Sequence, residues 1–338
     1  MTPRRLSVAV VQGGPTNEAE VSRASAANVA KGLADAGHAV VRLELDAFLA
    51  ETLRTGAFDV VFPITHGAVG EDGALQGLLE VLGLPYVGSN VLASALAMDK
   101  RLARRVFALE GLPVAKGIAF APGEATAAAC AARARREIGA RLVVKPSTSG
   151  SAIGVVRLDE SASDADVARA IEATWENDVA IVEHFARGRE VTCGVIEDDG
   201  GARALPPTEI VSPKDAFYNY EAKYAPGRSH HTCPAELSGD ASARVQAIAA
   251  AAHRALGCRD LSRADFVVGD DASPGDAGDA SRVILLEVNT LPGFTATSLF
   301  PEAAGIAGIP LANLCDGLVR RAHARGPTRR LAPKPLPR

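Results

Sequence analysis

Three oxygen-bearing side chains near the end of the chain have the types and spacing to hold a divalent cation. In VILLEVNT, strand alternation puts Glu287 and Asn289 on one face and Val288 on the other. Asp265, in ADFVVGD, belongs to the partner strand of a hairpin and can face the same side. Two carboxylates and an amide oxygen form a hard donor set of the kind Mg²⁺ prefers, with the remaining positions left to water and phosphate. The plain alternative is a solvated outer face, but an acid and an amide between Leu285-Leu286 and the turn TLPGF fit a free surface poorly.

Lysines provide the opposite charge. Lys145 ends the apolar strand LVVKP and Lys100 begins the helix after SALAMD, so each is a point cation at the end of an element, suited to phosphate oxygens. The loop STSGSAIG after Lys145 offers hydroxyls and amides that could cover phosphates, although such hairpin turns are common. The pattern GxxxxGK[ST] is absent, which argues against a Walker-type site.

The stretch HGAVGEDGALQG, residues 66 to 77, carries four glycines, more than a plain turn requires. His66 within it has an intrinsic pKa near working pH, suiting proton transfer or oxyanion donation, with a structural histidine as the equal alternative. Glu71 and Asp72 read as caps of the following helix, and Glu18 as either a first-turn cap or a partner for a substrate ammonium.

These groups need elements to hold them. At 338 residues, two or three domains are expected. Net charge −4 without a broad basic face argues against wholesale nucleic-acid binding. Five scattered cysteines without a CxxC pair suggest neither disulfides nor zinc and fit a reducing cytoplasm. The apolar run near the start breaks at Gln12, too short for a signal peptide, and no run reaches the roughly 20 apolar residues that span a bilayer.

LSVAVV, AVVRLEL and FDVVFPI read as strands separated by helical segments, and LPYVGS follows ALQGLLEVLG. This alternation predicts a parallel sheet with helices on both faces, and ligands beyond the strands' carboxyl ends, where Gly13, Gly14, Glu18, His66 and Glu71 fall. MDKRLARRVFALEG reads as a helix stopping at Gly111 and Pro113, the entry to a second domain. ARLVVKPSTSGSAIGVVRL reads as strand, loop, strand, and DVAIVEHFARGREVTCGVIED as a repeat of that plan with a longer turn. A helix follows from about Ala241 to Leu256, then the ADFVVGD and SRVILLEVN hairpin with its solvated tip. From Arg320 the basic, proline-rich tail reads as disordered.

Together GGPTNEAEVS, HGAVGEDGALQG, SALAMDK, VVKPSTSGSAIG, FYNYEAKY, SRADF and LLEVNTLPGFTATSLFP resemble, in order and interval, the D-alanine:D-alanine ligases of the ATP-grasp superfamily, from about Val8 to Leu311. The resemblance implies a mixed α/β and α+β protein. A Rossmann-like parallel domain (1–100) would precede a two-part ATP-grasp fold (101–186 and 187–319), with 320–338 as the tail. It implies ATP held between the two later units, with Lys100 and Lys145 on phosphates, Glu183 and Glu190 on adenine and ribose, and Lys223 also at the nucleotide. Asp265, Glu287 and Asn289 match ligands of Mg²⁺ (or Mn²⁺), two ions in number. Glu18 matches the residue near the first D-alanine's ammonium, linked through Ser151 to Tyr224 of a lid, with His66 nearby. Arg263, Gly293, Ser298 and Leu299 match the second D-alanine's pocket, Arg263 also steadying the oxyanion.

Two departures stand out: His184, where some members carry lysine, and Ala19, where a charged residue is common. The Lys223-Tyr224 pair favours dipeptide over D-alanyl-D-lactate. The implied reaction passes through an acyl phosphate and serves peptidoglycan precursor synthesis in the cytoplasm, with a homodimer expected from the family alone. Candidates for taking the amine's proton are His66, the Ser151 and Tyr224 pair, or substrate phosphate. Competing readings are a ligase with another acceptor, such as D-lactate or D-serine, and a non-catalytic ATP-grasp regulator.

Overall fold

In this computed structural model, residues 4–211, 230–269 and 283–327 are described. The first sheet is parallel, with β1 (Ser7–Gln12) between β2 (Ala39–Glu44) and β3 (Val60–Pro63). The middle of its central strand, Val8 to Val11, is apolar because both faces are covered. Val8 and Val10 pack towards α1 (Ala19–Asp35), while Ala9 and Val11 pack towards α2 (Leu49–Thr55) and α3 (Ala74–Leu82). LPYVGS contributes a single parallel bridge, Val61 to Tyr86, rather than a full strand.

The helix expected from MDKRLARRVFALEG forms, and it starts at Lys100 as the sequence suggests. α4 (Val91–Met98) ends and α5 (Lys100–Leu109) begins at Asp99, which is extended and accepts a hydrogen bond from the Leu102 amide. An aspartate can cap a new helix in this way, and the break makes Lys100 the first residue of α5.

The central sheet has the order β4 (Gly117–Phe120), β7 (Ala180–His184), β5 (Leu142–Pro146), β6 (Val156–Leu158), all antiparallel. It is backed by α6 (Ala127–Glu137) and α7 (Asp164–Trp175). The β5–β6 hairpin agrees with the sequence reading, but the second expected hairpin does not form. β7 stays in the central sheet, whereas β8 (Arg189–Asp198) enters another. Gly188 marks the crossing. Its φ is +153°, and a Cβ there would lie 2.2 Å from the Val268 carbonyl oxygen, so only glycine lets the chain pass so close.

That other sheet runs β11 (His230–Thr232), β10 (Thr208–Val211), β8, β12 (Leu261–Val268), β13 (Val283–Asn289), with β9 (Gly201–Ala204) paired to β8. α8 (Gly239–Ala255) packs on one face through Val245, Ile248 and Ala249. α9 (Leu299–Ile306) and α10 (Leu311–Arg325) follow.

The tail reading requires correction. Residues 320–325 are the last turns of α10, which returns to the first sheet and buries Leu314, Leu318 and Val319 in the core around β1. Each such burial stabilises by about 1.5–3 kcal/mol. Its Arg320 and Arg325 have specific partners in Asp316 and Asp260, so this basic segment is not a solvated charge run. Residues 328–338 lie outside the described residues. The five cysteines are unpaired; burial pushes the Cys258 and Cys315 thiols up to about 12, which makes them packing residues. No helix among the described residues is long and apolar enough to cross a membrane.

Candidate active site

A cleft of about 1260 Å³ is lined by residues of the two antiparallel sheets, of α1 and of the loop after β3. The expected metal ligands lie in it, on adjacent antiparallel strands in register: Asp265 opposite Glu287, and Arg263 opposite Asn289. Simple alternation would have put Leu285 on the same face as Glu287. A β-bulge between Asp265 and Phe266 solves the conflict. Leu285 points into the core, Leu286 and Glu287 both line the cleft, and Val288 returns to the core. Bulges commonly re-aim side chains beside functional sites.

The acids are held by cations already present in the chain. Arg263 donates to both oxygens of Asp265, from Nε and Nη2 at 2.9 Å each. Thr192 Oγ1 adds a third bond to Asp265 at 2.7 Å. Lys100 Nζ lies 3.3 Å from Glu287 Oε2 and donates to the Ser149 carbonyl at 2.7 Å. Asn289 Oδ1 accepts from the Leu291 amide at 2.8 Å. Among the described residues no cluster of three His, Cys, Asp or Glu side chains forms a ready metal cage. The donor set present, two opposed carboxylates beside an amide oxygen, fits a cation that keeps water and phosphate in its remaining positions.

Both lysines hang from one hydrogen-bonded junction. The Lys100 amide donates to the Ser147 carbonyl at 2.9 Å, the Arg101 amide to Ser147 Oγ at 3.2 Å, and that hydroxyl donates to Asp99 Oδ1 at 2.6 Å. Burial opposes ionisation of Asp99, yet the bonds from Ser147, Arg101 and Leu102 outweigh it and hold the carboxyl below its ordinary range. Lys145 lies two residues before Ser147, so the strand end and the helix start are fixed to one another. Nothing in the sequence spacing singled out Asp99 or Ser147.

Also lining the cleft, Glu18 occupies the cap position of α1 but makes no capping bond there. Its carboxylate instead accepts from Ser151 Oγ. Ser151 and Ala152 both have positive φ, +53° and +57°, strain of the kind found in ligand-covering loops. Glu71 also differs from its expected capping role. Asp72 accepts from the Ala74 amide at the start of α3, whereas Glu71 turns back to accept from the Gly67 amide at 2.9 Å and to approach His66 Nδ1 at 3.4 Å. His66 Nε2 is buried and has no hydrogen-bond partner among the described residues, and the residue lines the cleft.

The loop 291–298 brings Gly293, Ser298 and Leu299 to the cleft. A Cβ on Gly293 would lie 2.9 Å from Ser298 Oγ, so a larger residue would push that hydroxyl off its bonds to Thr295. Two side chains of α1, missed from sequence, clamp the next residue: Ser25 Oγ accepts from the Phe294 amide at 3.1 Å and Asn28 Nδ2 donates to its carbonyl at 2.8 Å. The Phe294 ring is fixed between Phe62 and Phe300, with centroids 5.8 and 5.6 Å away. The i, i+3 spacing of Ser25 and Asn28 was the available signal.

The two acids expected at the nucleoside end are both engaged. Glu190 pairs with Arg157 at 3.1 Å, and Glu183 lies between Arg104 and Lys145. His184 lines the same end of the cleft. Lys223 and Tyr224 lie outside the described residues.

A parallel sheet with flanking helices followed by two antiparallel sheets, with Lys145 on one, opposed carboxylates on the other and Lys100 at the start of α5, defines the class: an ATP-grasp ligase fold. The family model described as D-ala D-ala ligase C-terminus matches residues 106–320, and that described as D-ala D-ala ligase N-terminus matches 48–89. The chain is 43% identical to the D-alanine–D-alanine ligase of Granulibacter bethesdensis over 323 residues, covering 94% of this chain and 98% of that protein. It is also 43% identical to the Acidiphilium cryptum ligase, covering 94% and 99%. Among solved structures, the Bacillus anthracis D-alanine–D-alanine ligase complexed with ATP superimposes with TM-score 0.77 at 27% identity over 95% of this chain and 98% of that one. The Coxiella burnetii ligase gives TM-score 0.77 at 29% identity, covering 95% and 94%. The chain belongs to the D-alanine–D-alanine ligase family.

Proposed function

We propose that this protein joins two D-alanine molecules into D-alanyl-D-alanine, using ATP and an acyl phosphate intermediate, for peptidoglycan precursor synthesis in the cytoplasm. The observation that carries the reading is the in-register opposition of Asp265 and Glu287 in one cleft with Lys145 and with Lys100, whose ammonium lies 3.3 Å from Glu287. A carboxylate is a poor electrophile because oxide is a poor leaving group. Attack of its oxygen on the γ-phosphorus, with ADP leaving, converts it to an acyl phosphate, and positioning plus charge neutralisation is the protein's share of that step.

Glu18 receives the first D-alanine's ammonium, while Lys100 and Lys145 neutralise phosphate oxygens. Asp265, Glu287 and Asn289 would hold Mg²⁺ or Mn²⁺, which supplies further neutralisation of phosphate charge. The second amine, once deprotonated, attacks the acyl carbon and expels phosphate; Arg263 and the Gly293 amide meet the transient oxyanion. His66, oriented by Glu71, remains a candidate proton acceptor beside the Ser151 and Tyr224 pair and the substrate phosphate. Glu190 and Lys223 complete the nucleotide end, Ser298 and Leu299 the second amino acid's pocket, and the working form is a homodimer.

Mass spectrometry of products from ATP, Mg²⁺ and D-alanine tests the reading, with phosphate release measured alongside. Dipeptide should form in step with phosphate, and Glu287→Ala should abolish both while leaving the circular dichroism spectrum unchanged. Wild-type phosphate release from Glu287→Ala would remove the carboxylate pair from the chemistry.

A further inference from the structure

Glu183 is buried between two cations that are held very differently. Arg104 Nε lies 2.7 Å from its Oε1, and Lys145 Nζ 2.8 Å from its Oε2. The guanidinium is fixed at further points. Its Nη2 donates to the Ala115 carbonyl, and it lies over Gly117, where an added Cβ would come within 2.8 Å of Nη2. Gly117 pairs with Glu183 in the β4–β7 register, so the strand leaves room at that position for the arginine. Lys145, by contrast, is the penultimate residue of β5, carries its ammonium on a flexible stem and lines the cleft. Arg104 stands one helical turn after Lys100 on α5.

We infer that Arg104 is a positioning residue whose fixed charge lets Lys145 leave Glu183 for the nucleotide. The inference rests on the reading of Lys145 as a phosphate ligand. A lysine that turns to a phosphate abandons its former partner, and a buried carboxylate left alone is strongly disfavoured. With Arg104 in place, Glu183 stays compensated throughout the exchange, and Lys145 moves between two acceptors without leaving an orphaned charge. Without Arg104, Lys145 is the sole remaining partner within the triad, and nucleotide binding must break that pair.

The test uses the full chain with ADP·Mg²⁺ calorimetry and steady-state kinetics in ATP and D-alanine. Arg104→Met should weaken ADP binding and raise KM for ATP about tenfold or more, with KM for D-alanine within about twofold of wild type. Arg104→Lys should stay within about threefold, because the charge remains. The readout that a merely structural role would not move is the double variant: Arg104→Met with Glu183→Gln should bind ADP as Glu183→Gln alone does, since a neutral amide needs no counter-ion. Wild-type nucleotide affinity in Arg104→Met, or a double variant as weak as the two single losses multiplied, would overturn the inference. Should Arg104→Met fail to fold, Arg104→Lys and the double variant decide by the same criteria. Failure of the functional reading would look different: the wild type would bind ADP and release no phosphate with D-alanine.

Discussion

Arg325→Ala should destabilise the protein by about 3 kcal/mol, the lower end of the range for removing one partner of a buried ion pair. Asp260 is fully buried and takes two hydrogen bonds from Arg325, at 2.6 and 2.8 Å, and one from the Gly88 amide at 2.7 Å. Arg325 Nη2 also donates to the Tyr86 carbonyl at 2.9 Å. The arginine side chain is 26% exposed, so water reaches part of the site after truncation and the larger penalties do not apply. At about 2 °C per kcal/mol for a large chain, the melting temperature should fall by about 6 °C. Differential scanning calorimetry at neutral pH measures it, with Arg325→Lys, which keeps charge but not the fork, falling between. A melting temperature within about 1 °C of wild type for Arg325→Ala would refute the claim that the last helix supplies Asp260's counter-ion.

Asn28→Ala removes a hydrogen bond that anchors, at the Phe294 carbonyl, the turn carrying Gly293; losing about 1 kcal/mol there should raise KM for the second D-alanine roughly fivefold, while KM for ATP stays put. Ser147→Ala should do the reverse, raising KM for ATP severalfold with little change for D-alanine, as read by phosphate release under varied substrate. Glu197 is pulled down to about 2, by His253 at 3.5 Å first and, against the opposing effect of burial, by the Asp260 amide at 2.9 Å. Because the folded value lies below the ordinary 4.5, the stabilisation is complete above that pH and is lost as pH falls from 4.5 towards 2. Glu197→Gln should therefore flatten the melting curve's pH dependence in that window, and an unchanged slope would count against the assignment.

Alternation made Glu287 and Asn289 legible as one face, and the parallel sheet followed from apolar runs separated by helical periods. The bulge at Leu286 was not legible, because it arises from pairing with β12 and depends on where the partner's apolar residues fall. The β7–β8 hairpin was misread for a related reason: two adjacent strand-like segments pair with each other only if no other sheet edge offers better partners. The last helix was hidden by its arginines. A basic run looks solvated until the buried acid it serves is known, and Asp260 is 65 residues away from Arg325. Asp99 and Ser147 escaped because their partners lie nearly 50 residues apart in sequence.

Helix α1 reaches two separate loops from one rigid body: Glu18 at its start meets Ser151, and Asn28, about 15 Å further along its axis, holds Phe294. It therefore works as a spacer that sets the gap between two loops it does not belong to. A chimera that borrows the first sheet and α1 from a relative should keep this helix in phase with the recipient's 291–298 turn, since a single inserted residue would rotate Asn28 by about 100° and unhook the turn.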